Sequence, residues 1–160
     1  MNSEFSRLYR AYADDVFRFA LYLCSERADA EDIVSETFVR AFTAREPVRM
    51  ATAKGYLFTI ARNLYLQRAR TRSRHVAVDT ELRDPRAGPD LQAERNEELA
   101  AVLERLQLLP EVSRTALLMS AADGLPYDEI ARALGLSLAA VKVRIHRARL
   151  ALEDLRAPDS

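Results

Sequence analysis

Apolar residues recur at helical spacing along most of the chain, and no stretch alternates in the manner of a strand. From Ser3 to about Cys24 the apolar positions are three and four residues apart, which places them on one face of a helix. The same spacing predicts a second helix from about Ala30 to Ala44 and a third from about Thr52 to Arg72. Ser3 and Asp29 are placed to cap the first two helices. The pattern predicts a three-helix N-terminal domain.

The helical pattern is lost between Arg72 and about Arg95, where Arg, Asp, Pro and Gly dominate. We expect a flexible or extended linker in this stretch. Beyond it the pattern predicts four shorter helices: Glu97–Leu109, Glu111–Ala122, Tyr127–Leu134, and Ser137 to about Leu155. The fold class is therefore all-α, with two small helical domains at residues 1–72 and 96–160 joined by a linker at residues 73–95.

Net charge, cysteine content and the lack of long apolar stretches each disfavour some classes of function. The chain has 24 basic and 24 acidic residues and a formal net charge of zero, so no overall positive field draws it to nucleic acid. Cys24 is the only cysteine, and its apolar surroundings favour a buried, inert thiol over a redox sensor. With His75 and His146 it offers no metal-ligand spacing, so no metal is expected. No signal peptide or long apolar span is present, which predicts a cytoplasmic protein without membrane insertion.

The last two predicted helices have the spacing of a helix-turn-helix. Ala131 is small enough to let the second helix approach closely, and Gly135 allows a positive φ in the tight turn. Val141 is expected to pack inward, and Ser137 can cap the second helix. This motif is the most specific pattern in the chain.

Basic residues cluster on the second helix of this motif, with no acidic residue between Leu138 and Leu152. A cluster of cations is usually a solvated face, but its position directly after the turn favours DNA contact. The first turn of the helix is apolar and could touch thymine methyl groups without hydrogen-bonding to base edges. The candidate DNA-contacting residues are Ser137, Leu138, Ala139, Ala140, Lys142, Arg144, His146, Arg147 and Arg149.

Several short words in both halves resemble one family. The C-terminal words are Leu109-Pro110 with Arg114, Glu129-Ile130-Ala131, Leu134-Gly135-Leu136-Ser137, Val141-Lys142 and Arg147-Ala148-Arg149. The N-terminal words are Phe5 with Leu8-Tyr9 and Tyr12, Ala30-Glu31-Asp32-Ile33-Val34, Glu36-Thr37-Phe38, Arg40-Ala41, and Tyr56-Leu57 with Ile60-Ala61-Arg62-Asn63. The chain resembles the extracytoplasmic-function (ECF) sigma factors of the sigma-70 family, in region 2 and then in region 4.

The resemblance implies roles for both halves. The N-terminal domain would bind core RNA polymerase through the second helix and would melt and recognise the promoter −10 element through the third helix and the loop before it. The C-terminal helix would recognise the −35 element. By resemblance the polymerase-binding residues are Asp32, Ile33, Ser35, Glu36 and Arg40. The −10 candidates, which combine cations with flat or amide groups, are Arg49, Lys54, Tyr56, Arg62, Asn63, Arg68 and Arg70.

Three positions depart from the family pattern. Tyr56 stands where tryptophan is frequent, a conservative change for stacking. Gln67 stands where aspartate is usual, and Ala140 where threonine is common, which weakens hydrogen bonding at the start of the last helix. Asn63 could serve either recognition or a structural role, and the acidic residues of the linker could either mimic nucleic-acid charge or belong to a plain tether.

The function predicted from the sequence is an alternative sigma factor with core RNA polymerase, promoter DNA and an anti-sigma factor as partners. A stand-alone helix-turn-helix regulator explains only the C-terminal half, and a sigma-like protein that has lost promoter recognition is a second alternative. An enzyme is the least favoured, since no paired carboxylates, Ser-His-Asp set or phosphate-binding glycine loop occurs. No cofactor and no small-molecule substrate are expected.

Overall fold

A computed structural model describes residues 2–44, 52–79 and 93–156. This part of the chain is helical throughout, apart from short turns. The N-terminal helices are α1 (Asn2–Cys24), α2 (Arg27–Thr43) and α3 (Ala53–Asp79). The C-terminal helices are α4 (Ala93–Gln107), α5 (Glu111–Leu117), α6 (Tyr127–Leu134) and α7 (Leu138–Arg156), with a π-helical turn at Leu118–Ala122 between α5 and α6.

The core of the N-terminal domain is built from aromatic and branched side chains that α1, α2 and α3 direct inward. The rings of Phe19 and Phe58 stack with centroids 4.6 Å apart. Ile33 and Phe38 of α2 are fully buried beside them, as the spacing of apolar positions predicts. These contacts hold α3 against α1 and α2 and therefore determine which side of α3 is exposed to solvent.

Both predicted N-terminal caps are wrong. Helix α1 already begins at Asn2, so Ser3 lies inside the helix. Helix α2 begins at Arg27 with Glu26 as its N-cap residue, which places Asp29 in the first turn. The turn between α1 and α2 is tight because Ser25 takes a positive φ of 61° and donates its N–H to the carbonyl of Leu21.

Two helices beside the expected linker are longer than predicted. Helix α3 continues past Arg72 to Asp79, and α4 begins at Ala93 rather than Glu97. The sequence from 73 to 79 contains neither Gly nor Pro, so no backbone feature ends α3 at Arg72. The lack of an apolar period there predicted an early end, but a helix can continue without one.

The last two helices of the C-terminal domain, α6 and α7, form the predicted helix-turn-helix. Gly135 takes a left-handed φ of 67°, and the N–H of Leu136 is donated to the carbonyl of Ala131 at 3.0 Å, which closes α6. Val141 and Ile145 of α7 are buried, so α7 packs along one face against α5 and α6. The opposite face of α7 is left to solvent.

The two domains share one continuous hydrophobic core. Gln107, at the end of α4, donates its amide to the carbonyl of Leu23 at 2.8 Å and thus ties α4 to the end of α1. Arg114 of α5 is 4% exposed and donates to the hydroxyl of Tyr65 in α3 and to the side chain of Gln107. The arrangement therefore brings α3 and the C-terminal domain into direct contact.

Candidate nucleic-acid interface

The exposed face of α7 carries most of the predicted cations. Lys142, His146 and Arg149 lie on one side of this face, Arg147 on the other, and all four are exposed. Arg144 lies beside Arg147 but is half-buried. Because the four exposed side chains come from one helix whose opposite side is locked into the core, they form a rigid basic surface.

An apolar strip that sequence analysis missed separates the two groups of cations. Val143 and Leu150 are 45% and 47% exposed, and Ala139 lies on the same side of α7. The signal was present, since Val143 and Leu150 are seven residues apart and fall opposite the buried stripe. The face therefore combines charge at its borders with apolar contact area along its middle.

The start of α7 is ordered by its cap. Ser137 accepts the N–H of Ala140 at 3.1 Å through its hydroxyl oxygen, as predicted. Leu138 is 44% exposed, whereas Ala140 is half-buried. Ala139, Ala140, Arg144 and Arg147 border a groove of about 570 Å³ between α7 and the start of α5. Of the predicted −35 residues, Leu138 is therefore exposed at the start of α7, whereas the four that border the groove lie next to α5.

The predicted −10 residues are divided between two sides of α3. Tyr56, Asn63 and Arg70 are seven residues apart and share one side, where Asn63 and Arg70 are exposed and Tyr56 is half-buried. Gln67, also exposed, lies one turn after Asn63 on the same side. We call these four residues the open stripe. It combines an aromatic ring, two amides and a cation, and its exposed Asn63 favours recognition over a buried structural role.

Arg62 and Lys54, two other predicted −10 residues, contact acidic residues. Arg62 forms a bidentate pair with Glu111 of α5, with Nε to Oε2 at 2.8 Å and Nη2 to Oε1 at 2.9 Å. Lys54 donates to the backbone carbonyl of Asp123 at 3.0 Å and lies 3.5 Å from the Asp15 carboxylate. Both cations are therefore in contact with the C-terminal domain and largely shielded from solvent.

Arg68 faces α2 instead. It forms ion pairs with Asp29 at 3.5 Å and Asp32 at 3.6 Å. Arg72, one turn further along α3, also pairs with Asp29, and that carboxylate raises its pKa. These pairs hold α2 against α3. Arg49, the remaining −10 candidate, lies outside the described residues.

The predicted polymerase-binding residues lie on α2. Asp32, Ser35, Glu36 and Arg40 reach the surface, and Glu36 pairs with Arg40 at 3.2 Å. Ile33 is 0% exposed, so it supports the helix from the core and does not itself reach a partner. Sequence analysis missed Val39, which is 57% exposed among these polar side chains.

Three carboxylates at the domain contact were also missed as a group. Glu111 is half-buried, and Glu129 and Asp123 are buried. Glu129 accepts the backbone N–H and the hydroxyl of Thr52 through Oε1, at 3.1 Å and 2.6 Å. No local pattern could have found this pairing, because the partners are 77 residues apart in sequence.

The pKa values of Asp123 and Glu111 reflect the surroundings of each carboxyl group. The pKa of Asp123 is raised to about 6, mainly by burial; Lys54 and Arg18 oppose the shift, and Asp15 adds to it. Burial also pushes the pKa of Glu111 upward, but hydrogen bonds from Arg62 and Thr115 with the charges of Arg62 and Arg114 outweigh it, and the net shift is downward. Glu111 is thus held as an anion.

The described residues were also compared with the requirements of a reactive thiol, a metal site and a membrane-spanning helix. Burial raises the pKa of the Cys24 thiol, and its Sγ donates to the carbonyl of Glu26 at 3.3 Å, which supports the interpretation of an inert thiol. No cluster of His, Cys, Asp or Glu able to hold a metal occurs among the described residues. Within the same ranges, no helix combines the length and apolar character needed to cross a bilayer.

Fold and surface together define a two-domain helical protein with a basic helix-turn-helix at its C-terminal end. The family model for sigma-70 region 2 matches residues 8–75, and the model for sigma-70 region 4 matches residues 99–152. SigL of Mycobacterium tuberculosis, an ECF RNA polymerase sigma factor, is 34% identical over 92% of this chain and 88% of its own length. The chain belongs to the ECF sigma factors of the sigma-70 family, which are transcription initiation factors and not enzymes.

Other relatives and solved structures agree. SigE of Mycolicibacterium smegmatis is 35% identical over 98% of this chain, which spans 63% of the length of SigE. The sigma factor RpoE of Bartonella quintana, solved in complex with the anti-sigma factor NepR, has a TM-score of 0.77 at 26% identity, covering 98% of this chain and 99% of RpoE. CnrH, solved with the cytosolic domain of CnrY, has a TM-score of 0.78 at 28% identity, covering 100% of this chain and 92% of CnrH.

Proposed function

We propose that this chain acts in the cytoplasm as an alternative sigma factor that binds core RNA polymerase and directs it to specific promoters. Residues 1–72 bind polymerase and the −10 element, residues 96–160 bind the −35 element, and residues 73–95 link the two. The observation that carries the proposal is the basic outer face of α7 directly after a formed helix-turn-helix.

The −35 element is contacted by α7. Lys142, His146, Arg147 and Arg149 approach the phosphates along the two edges of the major groove. The strip of Ala139, Val143 and Leu150 between them faces the groove floor, where apolar contact favours thymine methyl groups. Since this strip lacks hydrogen-bond donors, we expect much of the affinity to come from phosphate contacts.

The −10 element is contacted by the open stripe and by the cations beside it. Tyr56 provides a ring on which an unstacked base can lie, and Asn63 and Gln67 provide amide donors and acceptors for base edges. Glutamine at position 67 keeps an acceptor where the family often has a carboxylate, and it adds a donor. Arg62, Arg68 and Lys54 would contribute phosphate contacts once freed from their present carboxylate and carbonyl partners.

Core polymerase is bound through the outer face of α2. Asp32, Ser35, Glu36 and Arg40 offer a polar surface with both signs of charge, and Val39 adds exposed apolar area in its middle. This combination suits a polar partner helix that carries an apolar anchor. An anti-sigma factor is a further partner, supported by the related sigma factors whose structures were solved with one bound.

Run-off transcription tests the proposal. Core polymerase is incubated with pooled genomic fragments from the source organism, with and without this protein. Discrete new transcripts that require the protein are expected, and their start sites define the −10 and −35 sequences together. Stable binding to core without transcripts would indicate a factor that has lost promoter recognition. Neither binding nor transcripts would favour a stand-alone helix-turn-helix regulator.

A further inference from the structure

Besides the bond from Arg114 to Tyr65, three polar contacts in which the N-terminal domain is the donor join α3 and the residue before it to the C-terminal domain. Arg62 is held by both oxygens of Glu111, and Thr52 is held by Glu129 through its N–H and its hydroxyl. Lys54 is held by the carbonyl of Asp123. In each of these three contacts the C-terminal domain is the acceptor.

The donors in these contacts are groups that bind phosphate well. A guanidinium matches two phosphate oxygens as it matches two carboxylate oxygens. Thr52 precedes the first residue of the 27-residue helix α3, where backbone N–H groups and the helix dipole favour an anion. The Glu129 carboxylate occupies that place, and Lys54 adds a second cation to the one that Arg62 supplies. Carboxylates of one domain thus sit where nucleic-acid phosphates could bind the other.

The contact is not optimised for permanent closure. Oε2 of Glu129 and Oδ2 of Asp123 are buried without a hydrogen-bond partner. A buried acceptor left unpaired costs free energy that an open arrangement, with water at these oxygens, does not incur. The polar part of the contact therefore holds α3 specifically but lacks full hydrogen-bond pairing.

The closed arrangement is also incompatible with a promoter occupied at both elements. The −10 and −35 elements are separated by about 25 base pairs, or about 85 Å along B-form DNA at 3.4 Å per pair. A compact chain of this length has a radius of gyration of about 15 Å. Since Glu129 of α6 touches Thr52 beside α3, the two domains must separate before α3 and α7 can reach both elements.

We propose that Glu111 and Glu129 form an intramolecular latch whose carboxylates occupy phosphate-binding groups of the N-terminal domain, so that the C-terminal domain competes with promoter DNA for Arg62 and the start of α3. This inference rests on the proposed function, because it assigns Arg62, Lys54 and Thr52 to DNA. The open stripe and the outer face of α7 remain accessible in the latched state. The latch therefore suppresses phosphate contact while leaving base-contacting groups exposed.

The latch is tested on the full chain with Glu111→Gln and Glu129→Gln, which remove charge and preserve side-chain shape. Glu111→Arg is a stronger variant, and Arg62→Glu combined with Glu111→Arg restores an opposite-charge pair. Glu104→Gln and Glu104→Arg are matched controls, because Glu104 is an exposed residue of α4. Circular dichroism establishes that each variant is folded.

Two readouts are taken on every variant. Small-angle scattering gives the radius of gyration, and fluorescence anisotropy with a labelled oligothymidylate of about 15 nucleotides gives the affinity for a single-stranded phosphate backbone. Glu111→Arg is expected to enlarge the radius and to raise the affinity about three- to tenfold, since unlatching raises the fraction of binding-competent protein. The two Gln variants should shift both readouts in the same direction by less. The charge-swapped double variant should return the radius to that of the wild type.

The outcomes separate the latch from the proposed function. Unchanged radius and affinity in Glu111→Arg and both Gln variants would overturn the latch, whatever the transcription assay gives. Expansion without any gain in oligothymidylate affinity would overturn the competition and the assignment of Arg62 and Lys54 to DNA. Expansion with tighter binding supports the latch even if run-off transcription fails, in which case the sigma-factor proposal alone is rejected.

Discussion

At the scale of single residues, Asp123 is the clearest case of a side chain whose environment disfavours its charge. Its pKa of about 6 lies above the ordinary 3.8, so the folded protein binds the proton more tightly than the unfolded chain does. The stability that this group contributes is therefore complete below about pH 4 and is lost as the pH rises through about 6. At neutral pH the ionised carboxylate is a net cost.

Asp123→Asn should relieve that cost. Because a shift of one pKa unit corresponds to about 1.4 kcal/mol, we expect the free energy of unfolding at pH 7.5 to rise by about 1–3 kcal/mol. The gain should shrink as the pH falls from 6 to 4. Urea unfolding at several pH values measures it. Asp128→Asn, which removes an exposed charge of α6, should change little; an equal gain there would show that net charge, not burial, is responsible.

Residue burial was predictable from periodicity where side chains are apolar. Val141 was expected to pack inward and is 0% exposed, and Ile145 and Ala148, which follow it at helical spacing, are 1% and 2% exposed. Glu129 was not predictable as a buried residue, although it is 1% exposed. The Glu129 carboxylate is buried beside Thr52, which donates two hydrogen bonds to it from 77 residues away. The local spacing of residues contains no information about such a distant partner.

At the scale of elements, the cap of α7 is a local feature that can be tested directly. Ser137 accepts the N–H of Ala140, which otherwise has no intrahelical partner. Ser137→Ala should lower the free energy of unfolding by about 0.5–2 kcal/mol, measured by urea titration. Ser35→Ala, in the exposed middle of α2, should leave it unchanged or slightly higher. Equal behaviour of the two variants would mean that the cap contributes nothing.

The cations of α7 make a second prediction at this scale. Each phosphate contact adds about 0.9 to the slope of log affinity against log salt concentration, so Arg147→Ala and Arg149→Ala should each lower the slope by about one unit. The affinity of the polymerase–sigma complex for a promoter fragment is measured between about 50 and 200 mM KCl. Arg10→Ala, an exposed arginine of α1, is the matched control. An unchanged slope in either α7 variant would remove that arginine from the phosphate contacts.

Element types were predicted more successfully than element ends. Gly135 and Ser137 mark the turn and the cap because each satisfies a specific backbone requirement. The predicted end of α3 and start of α2 were wrong. The end of α3 was placed where its apolar period is lost, and Asp29, which lies in the first turn of α2, was interpreted as a cap from its side-chain type. The π-helical turn at Leu118–Ala122 has no signal in the sequence that we can identify.

At the scale of the whole molecule, the sequence predicted two helical domains but not their contact. The core residues of each domain follow from local periodicity. The pairs Arg62–Glu111, Thr52–Glu129 and Arg114–Tyr65 join residues that are 49 or 77 positions apart. Nothing in composition or spacing distinguishes these residues from ordinary exposed polar residues. Only the structure therefore shows which −10 candidates lie in the open stripe and which, such as Arg62 and Lys54, contact the C-terminal domain.

The contacts of Arg114 indicate whether the two domains unfold together or separately. It is buried, donates to the hydroxyl of Tyr65 at 2.9 Å, and lies with its guanidinium carbon 5.7 Å from the centroid of that ring. Since this residue links α5 to α3 inside one continuous core, we expect the free protein to unfold in a single transition. Two separated transitions in a thermal scan would contradict a shared core.

Substitution at this pair should lower that transition in a graded way. Tyr65→Phe removes one hydrogen bond and should cost about 1 kcal/mol of unfolding free energy. Arg114→Ala removes the buried cation with all its contacts and should cost about 2–4 kcal/mol, whereas Arg132→Ala on the exposed side of α6 should cost less than about 0.5 kcal/mol. In the double variant the two losses should not add, because Tyr65 and Arg114 share one contact. Full additivity would mean that each acts within its own domain, and the coupling between domains would then rest on the apolar core alone.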